Sequence, residues 1–405
     1  MKYLPIPIAL LEVGKPLPLD VWSSAGQLLL RRGQPIVSEQ HRDKLHAFRA
    51  CTLLTDGLAW QGAYERMVQA MIAQGADLRA LEQASMPTEI LESDYASERP
   101  IGGWLDMQEL LRGMLYQGGL AINPLSRLRG VELKVLDLLQ QDSEGSLFAL
   151  FQALGDKHLG YCATHALLCA VVCELTAAKL GLLGPQRKPL IAAALTMNIG
   201  MAREQDAMAR QSLPINDWQR TLVAEHPARS EELLRSFGLA DPLQLDLVRW
   251  HHLPEAPQGL ASNLTGRKLL HLADVFVARV AARRTRAALS PVSAVKTMVF
   301  GGAGDLGMGS AMAQAVGFYP PGSYVRLISG EIAVAVQRGE RANTPWVVSI
   351  AGNDGAPLSI YQCKSTAEPR NAIAAALDFE AVKVAINADK MQRARERTAP
   401  VRRPS

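Results

Sequence analysis

The chain has 405 residues, of which 48% are hydrophobic, 5% aromatic and 20% charged. This length allows two or three domains, and an Ala/Leu-rich, aromatic-poor composition is typical of closely packed helices. The net charge of +4 comes from residues 389–405, which contain six Lys and Arg residues and two acidic residues. The charge therefore predicts a solvated, disordered tail, and it gives no support to a nucleic-acid-binding face on the folded body.

The sequence predicts no membrane span. The most apolar stretch, 159–172, contains His165 and is followed by Glu174 and Lys179, so it lacks the ~20 uninterrupted apolar residues of a spanning helix. The first twenty residues contain prolines and acidic residues where a secretory signal has an apolar core. The five cysteines are an odd number. We therefore expect a cytoplasmic protein with reduced thiols.

Residues 1–62 are predicted to form a small α+β module. Within it, the segments 14–20 and 27–31 flank a Ser/Gly turn, which indicates a β-hairpin. Ser38 is the expected N-cap of the helix that follows. Residues 63–120 are predicted to continue as a helical connector.

Residues 121–316 are predicted to form an all-helical domain, because apolar residues recur there at spacings of three and four. The pattern changes over 317–366, where alternating runs flank the turn at Gly330 and predict a small antiparallel β module. A C-terminal helix over 367–388 and the basic tail over 389–405 are expected to follow. The predicted fold class is mainly α, with a small N-terminal α+β module and a small C-terminal antiparallel β-sheet followed by a helix.

Four histidines and one aspartate on the predicted helices form a candidate metal-binding set. Imidazole and carboxylate are the groups that bind Fe, Mn and Zn in proteins. The residues are His165, His226, His251, His252 and Asp274. His271, which lies one turn before Asp274, is expected to be an ordinary helix residue.

Three cysteines share a helical face with His165. Along the helix, Cys162, His165, Cys169 and Cys173 follow one another at spacings of three, four and four residues. Ligands spread over about 16 Å of one helix cannot converge on a single ion. We therefore expect these cysteines to pack in the core.

At these positions the chain resembles the HD superfamily of metal phosphohydrolases and, within it, the HD-GYP family, whose active members hydrolyse cyclic di-GMP. The resemblance covers roughly residues 120–362, including GFYPPGSYVRLISGEIAVAV, and VGKPLPLDVWSSAGQLLLRRGQPI is similar to a module found ahead of such domains. It implies an HD-like all-helical domain whose metal ligands are His165, His226, His251, His252 and Asp274. It also implies that Arg283 and Arg286 contact the phosphates of the substrate, although both could equally belong to a solvated helix end.

The resemblance fails at the residues that should catalyse. The family's HD-I-G-K signature falls on Met197-Asn198-Ile-Gly-Met201, so a histidine ligand, a metal-bridging aspartate and a phosphate-facing lysine are replaced. Tyr161 stands where three-metal members have a glutamate, and the loop after the paired histidines is short and lacks GYP. Hydrolysis at such a site requires two closely spaced cations. The resemblance thus implies no catalytic residues and either no metal or a single Fe, Mn or Zn ion.

Three hypotheses follow. The leading one is a catalytically degenerate HD-GYP-like signalling protein, with a binding or scaffolding role in bacterial cyclic di-GMP signalling and with cyclic di-GMP or signalling proteins as partners. The first alternative is an active, metal-dependent cyclic di-GMP phosphodiesterase with an altered metal site. The second is a protein-interaction module that binds no nucleotide.

Overall fold

The structure is a computed structural model. It describes residues 3–82, 84–91, 102–156, 159–281, 289–294 and 306–396. The chain divides into two compact units. The N-terminal unit comprises Met1–Ile101 and Glu109–Val131, and the C-terminal unit comprises Gly102–Gln108 and Glu132–Ser405.

The N-terminal unit contains a four-stranded sheet with the strand order β1-β4-β2-β3. Its strands are β1 (Tyr3–Pro5), β2 (Val21–Trp22), β3 (Leu28–Leu30) and β4 (Cys51–Leu53). Its helices are α1 (Glu39–Ala47), α2 (Leu54–Ala73) and α3 (Leu78–Glu82). The predicted second arm of the hairpin is β3, but its antiparallel partner is β2 at Val21–Trp22 and not the predicted segment 14–20. The predicted N-cap is also formed, since Ser38 Oγ accepts a hydrogen bond from the His41 amide at 3.2 Å.

Two helices, α4 (Trp104–Gln117) and α5 (Pro124–Gln141), each contain residues that belong to both units. The C-terminal unit then continues as a succession of helices, as predicted. These are α6 (Ser143–Gly155), α7 (Tyr161–Lys179), α8 (Gly184–Thr196), α9 (Ala202–Arg210), α10 (Asp217–Ser236), α11 (Pro242–Trp250), α12 (Leu264–Val280) and α13 (Leu306–Val316). Two of the helices that supply the site begin at polar caps: Asn216 and Gln219 form a capping box for α10, and Asp241 caps α11.

Helix α7 is the centre of the C-terminal unit. It packs against α6, α8, α9, α12 and α13. Among the described residues it is the one helix long and apolar enough to cross a membrane, but 83% of its most apolar stretch is buried inside the protein. Its apolar composition is therefore explained by packing with the surrounding helices.

A five-stranded antiparallel sheet with the order β8-β7-β6-β5-β9 follows the helices. Its strands are β5 (Tyr324–Leu327), β6 (Ile332–Gln337), β7 (Trp346–Ala351), β8 (Pro357–Ser365) and β9 (Ile373–Leu377). The predicted hairpin turn is formed at Gly330, whose φ of 86° suits glycine. The final helix is α14 (Ala388–Glu396). The predicted fold class is confirmed.

The predicted helix over 367–388 is wrong. This segment contains β9, which pairs with β5 along the edge of the sheet and aligns Leu377 with Tyr324. The helix begins instead at Ala388, so the first residues of the predicted tail are helical. Residues 397–405 lie outside the described residues.

Candidate metal centre

The predicted ligands come from four elements of the C-terminal unit. His165 lies on α7, His226 on α10 and Asp274 on α12, while His251 and His252 follow the end of α11. The side chains of His226 and His251 are fully buried, His165 is 1% exposed and Asp274 is 9% exposed. His252 is exposed. The structure therefore places these residues in an interior site that opens to solvent at His252.

Three of the histidines form the first group, which we call the histidine triad: His226, His251 and His252. One ligand atom from each lies within 4.8 Å of the other two. The ring centroids are 4.3 to 5.1 Å apart. The closest approach joins the Nε2 atoms of His226 and His251, which are 3.2 Å apart.

Backbone carbonyls fix the protonation of two of these rings. His226 Nδ1 lies 2.7 Å from the carbonyl oxygen of Val223, and His251 Nδ1 lies 2.8 Å from that of Val248. A carbonyl oxygen can only accept, so each Nδ1 must carry the hydrogen and donate it. In the neutral rings both Nε2 atoms then carry lone pairs, and these lone pairs face each other. Such an arrangement calls for a cation between the rings, and donation from the other ring nitrogen to a carbonyl is usual for metal-binding histidines.

A proton is a poor candidate for that cation. Burial, together with the neighbouring His252, lowers the pKa of His226 to about 4. Burial and the same neighbour hold the pKa of His251 well below its usual range, and burial also lowers the pKa of His252. The triad is therefore neutral near pH 7, which is the form in which imidazole binds a metal.

The second group contains Cys169, which is fully buried, as the sequence predicts. His165 Nε2 lies 2.8 Å from Asp274 Oδ1 and 3.4 Å from Cys169 Sγ. One ligand atom from each of these three residues lies within 4.8 Å of the others. We call this set the Cys169 group. On its other side, His165 Nδ1 lies 3.0 Å from the Tyr161 hydroxyl.

The charges in the Cys169 group are those of an ionised acid and a neutral thiol. Burial alone would raise the pKa of Asp274, but the hydrogen bond from His165 and the nearby imidazoles outweigh it and hold that pKa well below its usual range. Burial and the charge of Asp274 raise the pKa of the Cys169 thiol well above its usual value. In the absence of a metal, Asp274 is therefore ionised while the Cys169 thiol keeps its proton.

The positions that depart from the family pattern lie beside α10. Met197 is fully buried and Asn198 is 3% exposed. The amide of Gly200 donates to Ser230 Oγ at 3.0 Å, and a Cβ at residue 200 would lie 2.9 Å from the Ser230 amide nitrogen. Ser230 is one turn beyond His226, so close packing fixes this segment near the triad. The Asn198 Nδ2 atom is buried and has no hydrogen-bond partner among the described residues.

The loop after the paired histidines is held by an internal clamp. Arg267 Nη1 binds both carboxylate oxygens of Asp246, at 2.8 and 3.1 Å, and it also binds the carbonyl of Leu260. His271 Nδ1 donates to the carbonyl of His251 at 2.8 Å. His271, which is expected from the sequence to be an ordinary helix residue, thus orients the paired histidines. The predicted phosphate ligands Arg283 and Arg286 lie outside the described residues.

No family model matches the chain, and no curated protein matches it. The chain is similar to a solved structure, that of Bd1817, a HDG"Y"P protein from Bdellovibrio bacteriovorus. The match has a TM-score of 0.43 and 14% sequence identity, and it covers 77% of this chain and 98% of that one.

Proposed function

We propose that this protein is a catalytically degenerate HD-GYP-like signalling protein that holds one divalent ion at the histidine triad and acts by binding. The observation that carries the proposal is the pair of Nε2 atoms, on His226 and His251, that face each other at 3.2 Å with both Nδ1 hydrogens committed to carbonyls. Of the three candidate metals, Fe and Zn would suit this all-imidazole set. A bound ion would supply a positive charge for a phosphate or carboxylate oxygen.

The residues near the triad argue against hydrolysis. Two adjacent cations repel each other, and a bridging carboxylate normally offsets that repulsion. Residue 198 is an asparagine, which carries no charge, and Met197 and Met201 offer no imidazole or ammonium group in its neighbourhood. We therefore infer that phosphodiester cleavage by a carboxylate-bridged metal pair is closed to this protein.

The proposed ligand is cyclic di-GMP or a partner protein in its signalling pathway. The resemblance to HD-GYP domains supports the nucleotide, and Arg283 and Arg286 are the proposed contacts to its phosphates. The exposed His252 supports access from solvent to the triad. We place this binding role in the cytoplasm.

Metal analysis and nucleotide assays on the same purified protein test the proposal. We expect the wild-type protein to retain Zn²⁺ or Fe²⁺ after dialysis, His251→Ala to lose that ion, and the exposed His46→Ala to retain it. We expect no hydrolysis of cyclic di-GMP. Turnover that disappears in His251→Ala would instead establish the phosphodiesterase alternative. Calorimetric titration with cyclic di-GMP separates the nucleotide-binding form from a pure protein-interaction module, which would give no heat.

A further inference from the structure

We infer that His165, Cys169 and Asp274 form a second metal position, selective for zinc, in which the Cys169 thiolate supplies negative charge that residue 198 lacks. This inference goes beyond the proposed function, because it concerns ligands outside the histidine triad. It does not require hydrolysis or nucleotide binding.

The geometry of the Cys169 group is that of a three-ligand site. His165 and Cys169 are one helical turn apart on α7, so both side chains project from the same face. Asp274 reaches them from α12, and its Oδ1 lies 2.8 Å from His165 Nε2. Nitrogen, sulfur and oxygen ligands from three side chains are a usual set for zinc, with a fourth position left for water.

The charges balance within this group alone. A divalent ion bound to one thiolate and one carboxylate forms a neutral unit, so it does not need a carboxylate shared with another ion. An ion held by the neutral imidazoles of His226, His251 and His252 would then face a neutral neighbour instead of a second net charge of +2. The repulsion that excludes a bridged two-metal centre at Asn198 is thereby reduced.

The hydrogen bonds of His165 are compatible with metal binding at its Nε2 atom. Without metal, His165 Nε2 donates to Asp274 and its Nδ1 accepts from the Tyr161 hydroxyl, which is 3.0 Å away. A metal at Nε2 requires the hydrogen to move to Nδ1. The Tyr161 hydroxyl can accept as well as donate, so it can hold the ring in either tautomer. This is the support that metal-binding histidines commonly receive from a second residue.

Binding would release one proton. The Cys169 S–H bond breaks, the sulfur–metal bond forms, and the proton leaves to solvent, while the His165 proton only moves from one ring nitrogen to the other. A soft thiolate ligand favours Zn²⁺ over Mn²⁺, which prefers oxygen ligands. Selectivity for zinc and release of a proton are therefore two signatures of this group.

Cys173 provides a matched control. It is fully buried on the same helix as Cys169, one turn further along, and it lies outside the set of converging ligand atoms. Replacement of either cysteine by alanine removes one buried sulfur from α7. A difference between the two variants in metal binding thus reports on coordination by Cys169 rather than on packing.

Titration with Co²⁺, followed by absorption spectroscopy, is the decisive experiment. In the full-length wild-type protein and in Cys173→Ala, we expect a near-ultraviolet band from thiolate-to-cobalt charge transfer together with visible ligand-field bands. In Cys169→Ala the charge-transfer band should be absent, and competition with Zn²⁺ should show an affinity lower by about 100-fold or more, since even outer-shell changes cost about 10–100-fold. Proton release per protein molecule, measured in weak buffer with Zn²⁺, should fall by one in Cys169→Ala only.

The outcomes separate this inference from the proposed function. If cobalt gives ligand-field bands that depend on His251 but no charge-transfer band, the inference is overturned and the histidine triad stands. A charge-transfer band that survives in Cys169→Ala overturns it as well, because another thiol is then the ligand. If the charge-transfer band depends on Cys169 while no ion is lost on replacing His251, the inference holds and the proposed role of the triad fails.

Discussion

At the scale of single residues, the carbonyl oxygens of Val223 and Val248 decide the chemistry of the histidine triad. They accept the Nδ1 hydrogens of His226 and His251, so the two Nε2 lone pairs point at each other. Neither ring can turn away without leaving a buried donor unpaired, which costs about 1–3 kcal/mol. The site is therefore set for a cation before any ion arrives.

Buried neutral histidines make the metal-free protein sensitive to acid. His226 has a pKa of about 4 in the folded protein and about 6.5 when unfolded. Between these values the unfolded chain binds more protons than the folded one, so stability falls as the pH drops from 6.5 towards 4. The full effect of His226 is about 3 kcal/mol. Urea unfolding at pH 7 and pH 4.5, with metal removed, should show the loss.

His226→Gln should reduce that pH dependence, because the titrating group is gone. His46→Gln, which removes an exposed imidazole outside the triad, serves as the control substitution. An equal slope in wild type and His226→Gln would contradict the assignment of the acid sensitivity to the triad.

A carboxylate at residue 198 should make the stability of the protein depend more strongly on a bound metal ion. In Asn198→Asp the new acid is buried near α10, so we expect the metal-free variant to lose roughly 1–3 kcal/mol of stability. Mn²⁺ should raise its melting temperature more than that of the wild type, since a hard carboxylate favours this ion. Thermal melts with and without Mn²⁺ test this, with Asn198→Ala as the variant that lacks the acid. A Mn²⁺ response that is the same in both variants would count against the placement of residue 198 near the metal.

The sequence was informative about the site only in part. Family resemblance located the four histidines and Asp274, and the structure brings them into two groups. The predicted burial of Cys169 is confirmed, but its spacing from His165 on one face of α7 does not reveal that it lies beside Asp274. Sequence spacing shows which residues share a face, but the contact with Asp274 on another helix depends on how α7 and α12 pack.

At the scale of elements, the clamp between Arg267 and Asp246 holds the loop that follows the paired histidines. Arg267 is 2% exposed and Asp246 is 8% exposed. Arg267→Met would leave the Asp246 charge buried and unpaired, so we expect a loss of about 3–5 kcal/mol in the free energy of unfolding. We also expect metal affinity at the triad to fall by about 10–100-fold, because a supporting contact of the ligand loop is lost. Chemical denaturation and metal competition measure the two effects.

The neighbouring residue provides the control for that prediction. Lys268 forms an ion pair with Glu255, whose side chain is 75% exposed. Because exposed ion pairs contribute about 0–1 kcal/mol, Lys268→Met should change stability little. Similar losses in the two variants would show that the loop does not depend on the buried pair.

The segment 367–388 shows why element prediction fails at sheet edges. The run Ile373–Leu377 is rich in alanine, and alanine has the highest intrinsic helix propensity. The segment nevertheless becomes β9, because β5 would otherwise keep an unpaired edge. Pairing between strands almost fifty residues apart cannot be read from local sequence. The helices of the C-terminal unit were easier to predict, since their apolar spacing is a local pattern.

At the scale of the whole molecule, Gly322 joins the sheet of the C-terminal unit to its helices. It has a φ of 96°, and a Cβ there would lie 2.8 Å from the Phe148 carbonyl oxygen and 2.8 Å from Phe151 Cβ. Gln152 Nε2 donates to its carbonyl at 2.6 Å. We expect Gly322→Ala to lower the free energy of unfolding by about 2–4 kcal/mol, because of the unfavourable φ and the clash together.

Gly238 provides the control. It has a φ of 89° and open space around it, so Gly238→Ala should lower the free energy of unfolding by only about 1 kcal/mol. Equal shifts in melting temperature would show that α6 yields to the added methyl group.

The burial of α7 has a consequence for how long the protein survives. His165 and Cys169 lie on α7, the helix at the centre of the C-terminal unit. An ion bound by them would stabilise the folded protein, because the unfolded chain has no equivalent site. At a free ion concentration of 100 times the dissociation constant, such binding adds about 2.7 kcal/mol to the free energy of unfolding. Scarcity of the ion would then shorten the lifetime of the polypeptide in the presence of proteases, and the abundance of the protein would follow the metal supply.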